Sequence, residues 1–205
     1  MIWRKFMAQA KVLSEKELKK VLNYCDQNKH PTRNKAMLLM THLAGLRVGE
    51  VASLRVKDVL TNEGEIKDEV YLSAIQTKGS RGRTVLIPKK LQLVLKDYLL
   101  SRYKLKDLAI VNYTDTSIAL FATQKHPKRG FTANTLAQHF HYLYQRSGIM
   151  GASSHSGRRG FITNLADKGI HVRVLMALAG HQSIATTQRY IDLNPKMMRN
   201  AVEMI

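Results

Sequence analysis

The sequence predicts a mainly α-helical domain carrying one small antiparallel β-sheet, and three observations support this. Apolar residues recur at helical spacing through most of the chain, as in Leu18, Val21, Leu22 and Cys25, or Leu91, Val94, Leu95, Tyr98 and Leu99. Strand-type residues cluster in one place, Val70 to Gln76 and Thr84 to Ile87, on either side of a glycine-containing turn. Hydrophobic residues make up 44% of the 205, enough for a real core and too many for a disordered basic tail.

Residues 1–13 are basic and short of pattern. Ser14-Glu15-Lys16-Glu17 is a capping box that starts the first helix. A loop around Pro31 leads to a second helix, Asn34 to Ala44, stopped by Gly45. Leu46 to Leu54 form a short helix with Arg47 at its start, and residues 55–68 are polar and turn-rich. The hairpin that follows has a basic tip, Lys78-Gly79-Ser80-Arg81-Gly82. Pro88 suits the start of the next helix. A short apolar run, Ala119 to Ala122, precedes the basic turn from His126 to Gly130, and Thr132 caps a helix running through Leu136, Phe140 and Leu143 to Gly148. In the stretch from His155 to Tyr190, His155 and Arg158 lie three apart on one side of a helix turn. Gly180 breaks the next helix so that His181 starts a new direction, and Tyr190 falls on the following short helical segment. Residues 195–205 read as a terminal helix, and no internal repeat or low-complexity linker divides the chain.

Lysine and arginine number 33 against 15 acidic residues, a formal net charge of +18. Such an excess in a foldable sequence points to a polyanionic partner, with nucleic acid first. Membrane-surface helices concentrate their basic residues, whereas here they are scattered from end to end. The single cysteine, Cys25, excludes an intrachain disulfide and fits a reducing, cytoplasmic setting; its apolar neighbours make it a core residue. No apolar run reaches the roughly 18 residues of a membrane span, and the N-terminus lacks a signal-peptide core. His139 and His141, two apart on a helix, face different directions, so no metal site is expected and no cofactor is assigned. Met37, Met40 and Met176 read as core filling.

The remaining polar residues form the chemical pattern. Each alone has a bland reading. Arg47 can pair with Glu50 on a helix surface, Lys78 can be a solvated hairpin tip, His155 can be structural, His181 can balance a helix dipole and Tyr190 can pack amphipathically. Together, two imidazoles, the guanidinium of Arg158 and a phenol can converge on one phosphate.

Gly45-Leu46-Arg47-Val48-Gly49-Glu50, Thr77-Lys78-Gly79 with Arg83 to Pro88, His155-x-x-Arg158, Leu178-Ala179-Gly180-His181 and Thr186-Thr187-x-x-Tyr190 occur in that order. In this combination, from about residue 12 to about residue 195, the chain resembles the tyrosine recombinases of the phage-integrase type. The resemblance implies their catalytic-domain fold and a site-specific recombinase that cleaves and rejoins duplex DNA through a 3′-phosphotyrosyl intermediate, without metal or ATP. It implies Tyr190 as nucleophile, and a phenol of pKa about 10 is only about 0.1% ionised at pH 7, so a base or positive field is needed. By the same resemblance Arg47 and Arg158 grip the phosphate, His155 is the base and His181 orients the phosphate or Tyr190. Lys78 protonates the departing 5′ oxygen, and Glu50 supports Arg47. Arg81, Arg83, Lys125, Lys128, Arg129 and Arg159 are candidate contacts to DNA.

The family's usual Leu and His at two positions are Gly157 and Arg159 here. Glycine is expected to loosen the turn that positions Arg158, and Arg159 to add a phosphate ligand. Residues 1–13 are expected to be a tether and 14–205 the catalytic domain, with no separate N-terminal DNA-clamping domain. The expected assembly is a homo-oligomer, a tetramer on paired DNA sites, with the tail Asn194 to Ile205 docking on a neighbour. A type IB topoisomerase, or a DNA-binding regulator without catalysis, are the alternatives.

Overall fold

The computed structural model describes residues 9–77, 81–104, 107–108, 117–124, 126, 128–191, 198–199 and 202–203. Lys78, Lys125, the first eight residues and most of the expected terminal helix lie outside the described residues.

Helix α1, Glu15–Asp26, starts where Ser14 accepts a hydrogen bond from the Glu17 N–H and the Glu17 carboxylate takes the Ser14 N–H, the expected capping box. Helix α2, Pro31–Leu43, begins three residues earlier than the sequence pattern places it, because Pro31 presets the helical φ and its missing N–H falls where no helix bond is needed. Residues Ala36 to Thr41 of α2 are all buried, so α2 is a central helix, against which α1, α5 (Lys89–Leu100) and α7 (Ser156–Asp167) pack. Helix α3, Val48–Ser53, follows, and then a single turn, α4, Val56–Val59, inside the segment expected to be irregular. Asp58 Oδ2 accepts the Arg55 N–H at 2.9 Å and caps that turn.

Strand β1, Glu69–Leu72, pairs antiparallel with β2, Arg83–Leu86, in the register Val70 to Val85 and Leu72 to Arg83. The first strand is shorter than Val70 to Gln76. The Ser73 N–H donates to Gln76 Oε1 at 3.0 Å, and this local bond turns Ala74–Gln76 into a 3₁₀ turn. Gln76 Nε2 in turn donates to Asp58 Oδ2 at 2.8 Å, mooring the connection between the strands to α4. Helix α5 is Lys89–Leu100, α6 is Ala133–Arg146 behind its Thr132 cap, α7 is Ser156–Asp167, α8 is Val172–Ala179 and α9 is Ile184–Gln188.

The core gathers Val21, Met37, Met40, Leu46, Leu91, Phe121, Phe140 and Tyr144, each contributing roughly 1.5–3 kcal/mol by burial. Cys25 is fully buried there, and burial pushes its thiol up to about 11, so it behaves as a small apolar residue. Met176 is only half-buried, unlike Met37 and Met40. His139 bonds Asn34 Oδ1 at 3.0 Å while His141 is exposed, so the two do face apart. No described helix is long and apolar enough to cross a membrane.

Candidate active site

Arg47 lies in extended backbone just before α3, and Glu50 three residues on reaches back to it. The Arg47 N–H donates to Glu50 Oε2 at 2.8 Å and Nη1 donates to Oε1 at 2.9 Å. Glu50 is only 1% exposed, so the pair is far from the solvated surface pairing that the sequence also allowed. Burial alone would raise the Glu50 carboxyl, but the hydrogen bond and charge of Arg83, then those of Arg47, hold it below the usual carboxylate range. It is an anion caged between two cations.

Arg158, on the first turn of α7, is almost fully buried and ties two distant pieces together. Its Nη1 donates to the Gly45 carbonyl at 2.6 Å and its Nη2 to the carbonyl of Ala179, the last residue of α8. Each of these nitrogens keeps a second N–H for another acceptor. Burial, then the nearby charge of Arg47, draws the guanidinium down to about 9, so it is still charged at neutral pH.

Gly180 ends α8 in the left-handed region, φ +62, which a side chain disfavours. A Cβ there would also overlap the Arg83 side chain. The chain then turns inward at His181, which is buried rather than a solvated helix cap. His181 Nδ1 hydrogen-bonds Thr187 Oγ1 at 2.9 Å, leaving Nε2 without a hydrogen bond among the described residues. Burial, then the charges of Arg158, Arg47 and Arg83, push its imidazole down to about 4, so the ring is neutral at pH 7. Tyr190 stacks on His181 with ring centroids 5.6 Å apart, and the Arg159 guanidinium sits 5.9 Å over the Tyr190 ring. Thr163 Oγ1 donates to the Tyr190 carbonyl at 3.1 Å and anchors the segment to α7.

A cavity of about 220 Å³ opens at this place, lined by Arg47, Thr77, Arg81, Gly82, Arg83, Gly180, His181 and Gln182. Arg47, Glu50, Arg158, His181 and Tyr190 are thus brought together. His155 starts α7 with an exposed side chain whose ring makes no hydrogen bond among the described residues. Of the expected outer contacts, Arg81 is exposed at the cavity, Lys128 and Arg129 are exposed on their turn, and Arg159 lies against Tyr190. Arg83 instead turns inward: its side chain is 11% exposed because Glu50 and the end of α8 offer it acceptors. Two arginines and a neutral imidazole beside one phenol can neutralise an anion and orient a nucleophile against it.

The family model for the phage integrase family matches residues 11–197. The chain belongs to the phage integrase family. It is 28% identical to the tyrosine recombinase XerA of Pyrococcus furiosus over 94% of its own length and 61% of the relative's, and 27% identical to the tyrosine recombinase XerD of Rickettsia prowazekii over 93% and 61%. The chain therefore spans about 61% of the length of these curated relatives. The crystal structure of XerA recombinase superposes with a TM-score of 0.72 at 25% identity, covering 95% of this chain and 64% of that one. The catalytic domain of bacteriophage HP1 integrase superposes at 0.62 and 20% identity over 95% of both, which speaks for the fold alone.

In this phage integrase family member, Gly157 does not loosen the turn before Arg158. A Cβ at 157 would run into the Thr41 and His42 side chains of α2, so glycine brings α7 close against α2 and fixes the turn. The sequence reading gave no role to Thr187 or Thr163, or to the carbonyls of Gly45 and Ala179. Thr187, Gly45 and Ala179 stand inside the motifs, which is the available signal; Thr163 lies outside them, and both carbonyls act only across the fold.

Proposed function

We propose that the chain is a tyrosine-type site-specific DNA recombinase, residues 14–205 acting as its catalytic domain on duplex DNA. The observation that carries this reading is the convergence of Arg47, Arg158, His181 and Tyr190, with their one buried carboxylate Glu50, beside a cavity whose described lining holds no acidic residue. A DNA phosphodiester supplies the missing negative charge.

In the proposed cycle the Tyr190 oxygen attacks phosphorus and passes its proton to His155. The phosphorus–O5′ bond breaks, and Lys78 protonates the departing oxygen. The products are a 3′-phosphotyrosyl linkage and a 5′-hydroxyl, and attack by a second 5′-hydroxyl reverses the step on a new partner strand. Arg47 and Arg158 offset the charge that builds on the non-bridging oxygens. Neutral His181 donates one hydrogen bond to the phosphate, while its stacking holds Tyr190 in line. The bond energy is retained in the ester, so no nucleotide is consumed, and the arginines supply the charge that a metal ion otherwise would. Exchange between two duplexes calls for several copies, a tetramer on paired sites with the C-terminal tail docking on a neighbour.

Covalent trapping tests the chemistry. The protein is incubated with nicked, labelled duplexes drawn from the DNA flanking its gene, in a chelator, and run on a denaturing gel. A protein–DNA adduct that is lost in Tyr190→Phe is the expected result, and exchange between two duplexes identifies recombination. Relaxation without exchange would move the reading to a topoisomerase. Salt-sensitive binding with no adduct on any duplex would leave only DNA binding.

A further inference from the structure

Among the described candidates for DNA contact, Arg83 spends its guanidinium on the protein interior. Its Nη2 donates to Glu50 Oε2 at 2.8 Å, its Nε approaches Glu50 Oε1 at 3.5 Å, and its Nη1 donates to the Leu178 carbonyl at 3.1 Å. Its aliphatic stem lies against Gly180, so closely that glycine is the residue that fits there. One side chain thus joins the first residue of β2, the buried carboxylate of α3 and a carbonyl in the last turn of α8.

Each of those three pieces carries part of the proposed site. The connection preceding β2 contains Lys78 and contributes Arg81 and Gly82 to the cavity. Glu50 holds Arg47 by two hydrogen bonds. The end of α8 provides the Ala179 carbonyl that Arg158 grips and leads into His181. Without Arg83, Glu50 keeps only its Arg47 bonds and the Leu178 carbonyl loses its side-chain donor, one of the orphan acceptors of a helix end.

We infer that Arg83 is a positioning residue for strand cleavage, acting through Glu50 on Arg47 and through the Leu178 carbonyl on the end of α8, without touching DNA itself. The inference rests on the recombinase reading above for the reaction it serves. An arginine is required because its planar fork spans two acceptors at fixed angles, which a lysine ammonium does not. A shift of about 1 Å in a group that grips the reacting phosphate is enough for a rate loss on the order of 10²-fold.

The test compares wild type, Arg83→Gln, Arg83→Lys and, as a comparison for direct DNA contact at the cavity, Arg81→Gln. Duplex affinity is measured against salt, adduct formation at saturating DNA, and amide exchange by NMR at Gly180 and His181. Arg83→Gln and Arg83→Lys should bind DNA within about twofold of wild type with an unchanged salt slope, yet form adduct about 10²-fold more slowly. Gly180 and His181 should exchange faster while α5 amides are unchanged; Arg83→Lys, which keeps the charge, guards against loss of the fold in Arg83→Gln. A weakened affinity with the slope reduced by about one would make Arg83 a phosphate contact and overturn the inference. So would full rescue of the rate by lysine, which would reduce the role to charge. If wild type itself forms no adduct, the recombinase reading fails separately, and unchanged exchange at Gly180 and His181 then overturns the positioning role.

Discussion

Glu50 is 1% exposed and accepts hydrogen bonds from both Arg47 and Arg83, so its charge is needed wherever those arginines are charged. Replacing it by glutamine leaves two cations facing a neutral amide, and Glu50→Gln should destabilise the fold by about 2–4 kcal/mol at pH 7. Because the folded-state carboxyl titrates below its ordinary value of 4.5, this stabilisation is complete above pH 4.5 and is lost as pH falls through the lowered value. Urea unfolding of both proteins across that range should show the difference shrinking with acid; a difference that grew would refute the caged-anion picture. His181 makes a second residue-scale prediction. Its imidazole titrates at about 4 against an ordinary 6.5, so between those values the unfolded chain binds the extra proton and acidification weakens the fold. Two-bond ¹H–¹⁵N spectra at pH 6 should find the His181 ring neutral. A charged ring at that pH would mean that it is neither buried nor crowded by the arginines as described.

At the scale of elements, the contact between α2 and α7 decides where Arg158 points. Gly157 sits in that contact with no room for a Cβ beside Thr41 and His42. Gly157→Ala should therefore lower stability by about 1–3 kcal/mol, the ordinary cost of overpacking, and slow adduct formation by displacing the next residue. A thermal melt unchanged from wild type would show that the two helices separate freely. The helices themselves were legible in sequence: the Ser14 and Thr132 caps stand where residue types demand them, since capping is a bond within three or four residues. The first strand ends sooner than its strand-type residues predict, because Ser73 and Gln76 make an equally local bond that competes with the sheet. The role of Gly157 is not legible in sequence for the opposite reason: its partner is α2, more than a hundred residues earlier.

For the molecule as a whole, the excess of 33 basic over 15 acidic residues sets the expected affinity for a polyanion. If six to eight lysines and arginines displace counterions from duplex DNA, log affinity should fall against log salt with a slope of about −5 to −7, measured by titration across salt concentrations. A flat response would remove DNA as the partner. Within the site the balance is local: Arg47, Arg83 and Arg158 face one carboxylate and a neutral imidazole, which leaves an uncompensated positive field.

By itself the sequence determined the helical periodicities, their caps, the total charge and the ordered set of motifs, because each depends on residue type and short spacing. It also assigned the family. The tertiary structure decided which arginine faces which acceptor. Arg83 meets Glu50 across 33 positions and Arg158 meets Gly45 across 113, distances at which spacing carries no direction. Two arginines that read alike in sequence are separated only by what the fold places beside them: Arg81 is left at an open cavity, and Arg83 is drawn inward by a buried carboxylate and a helix-end carbonyl.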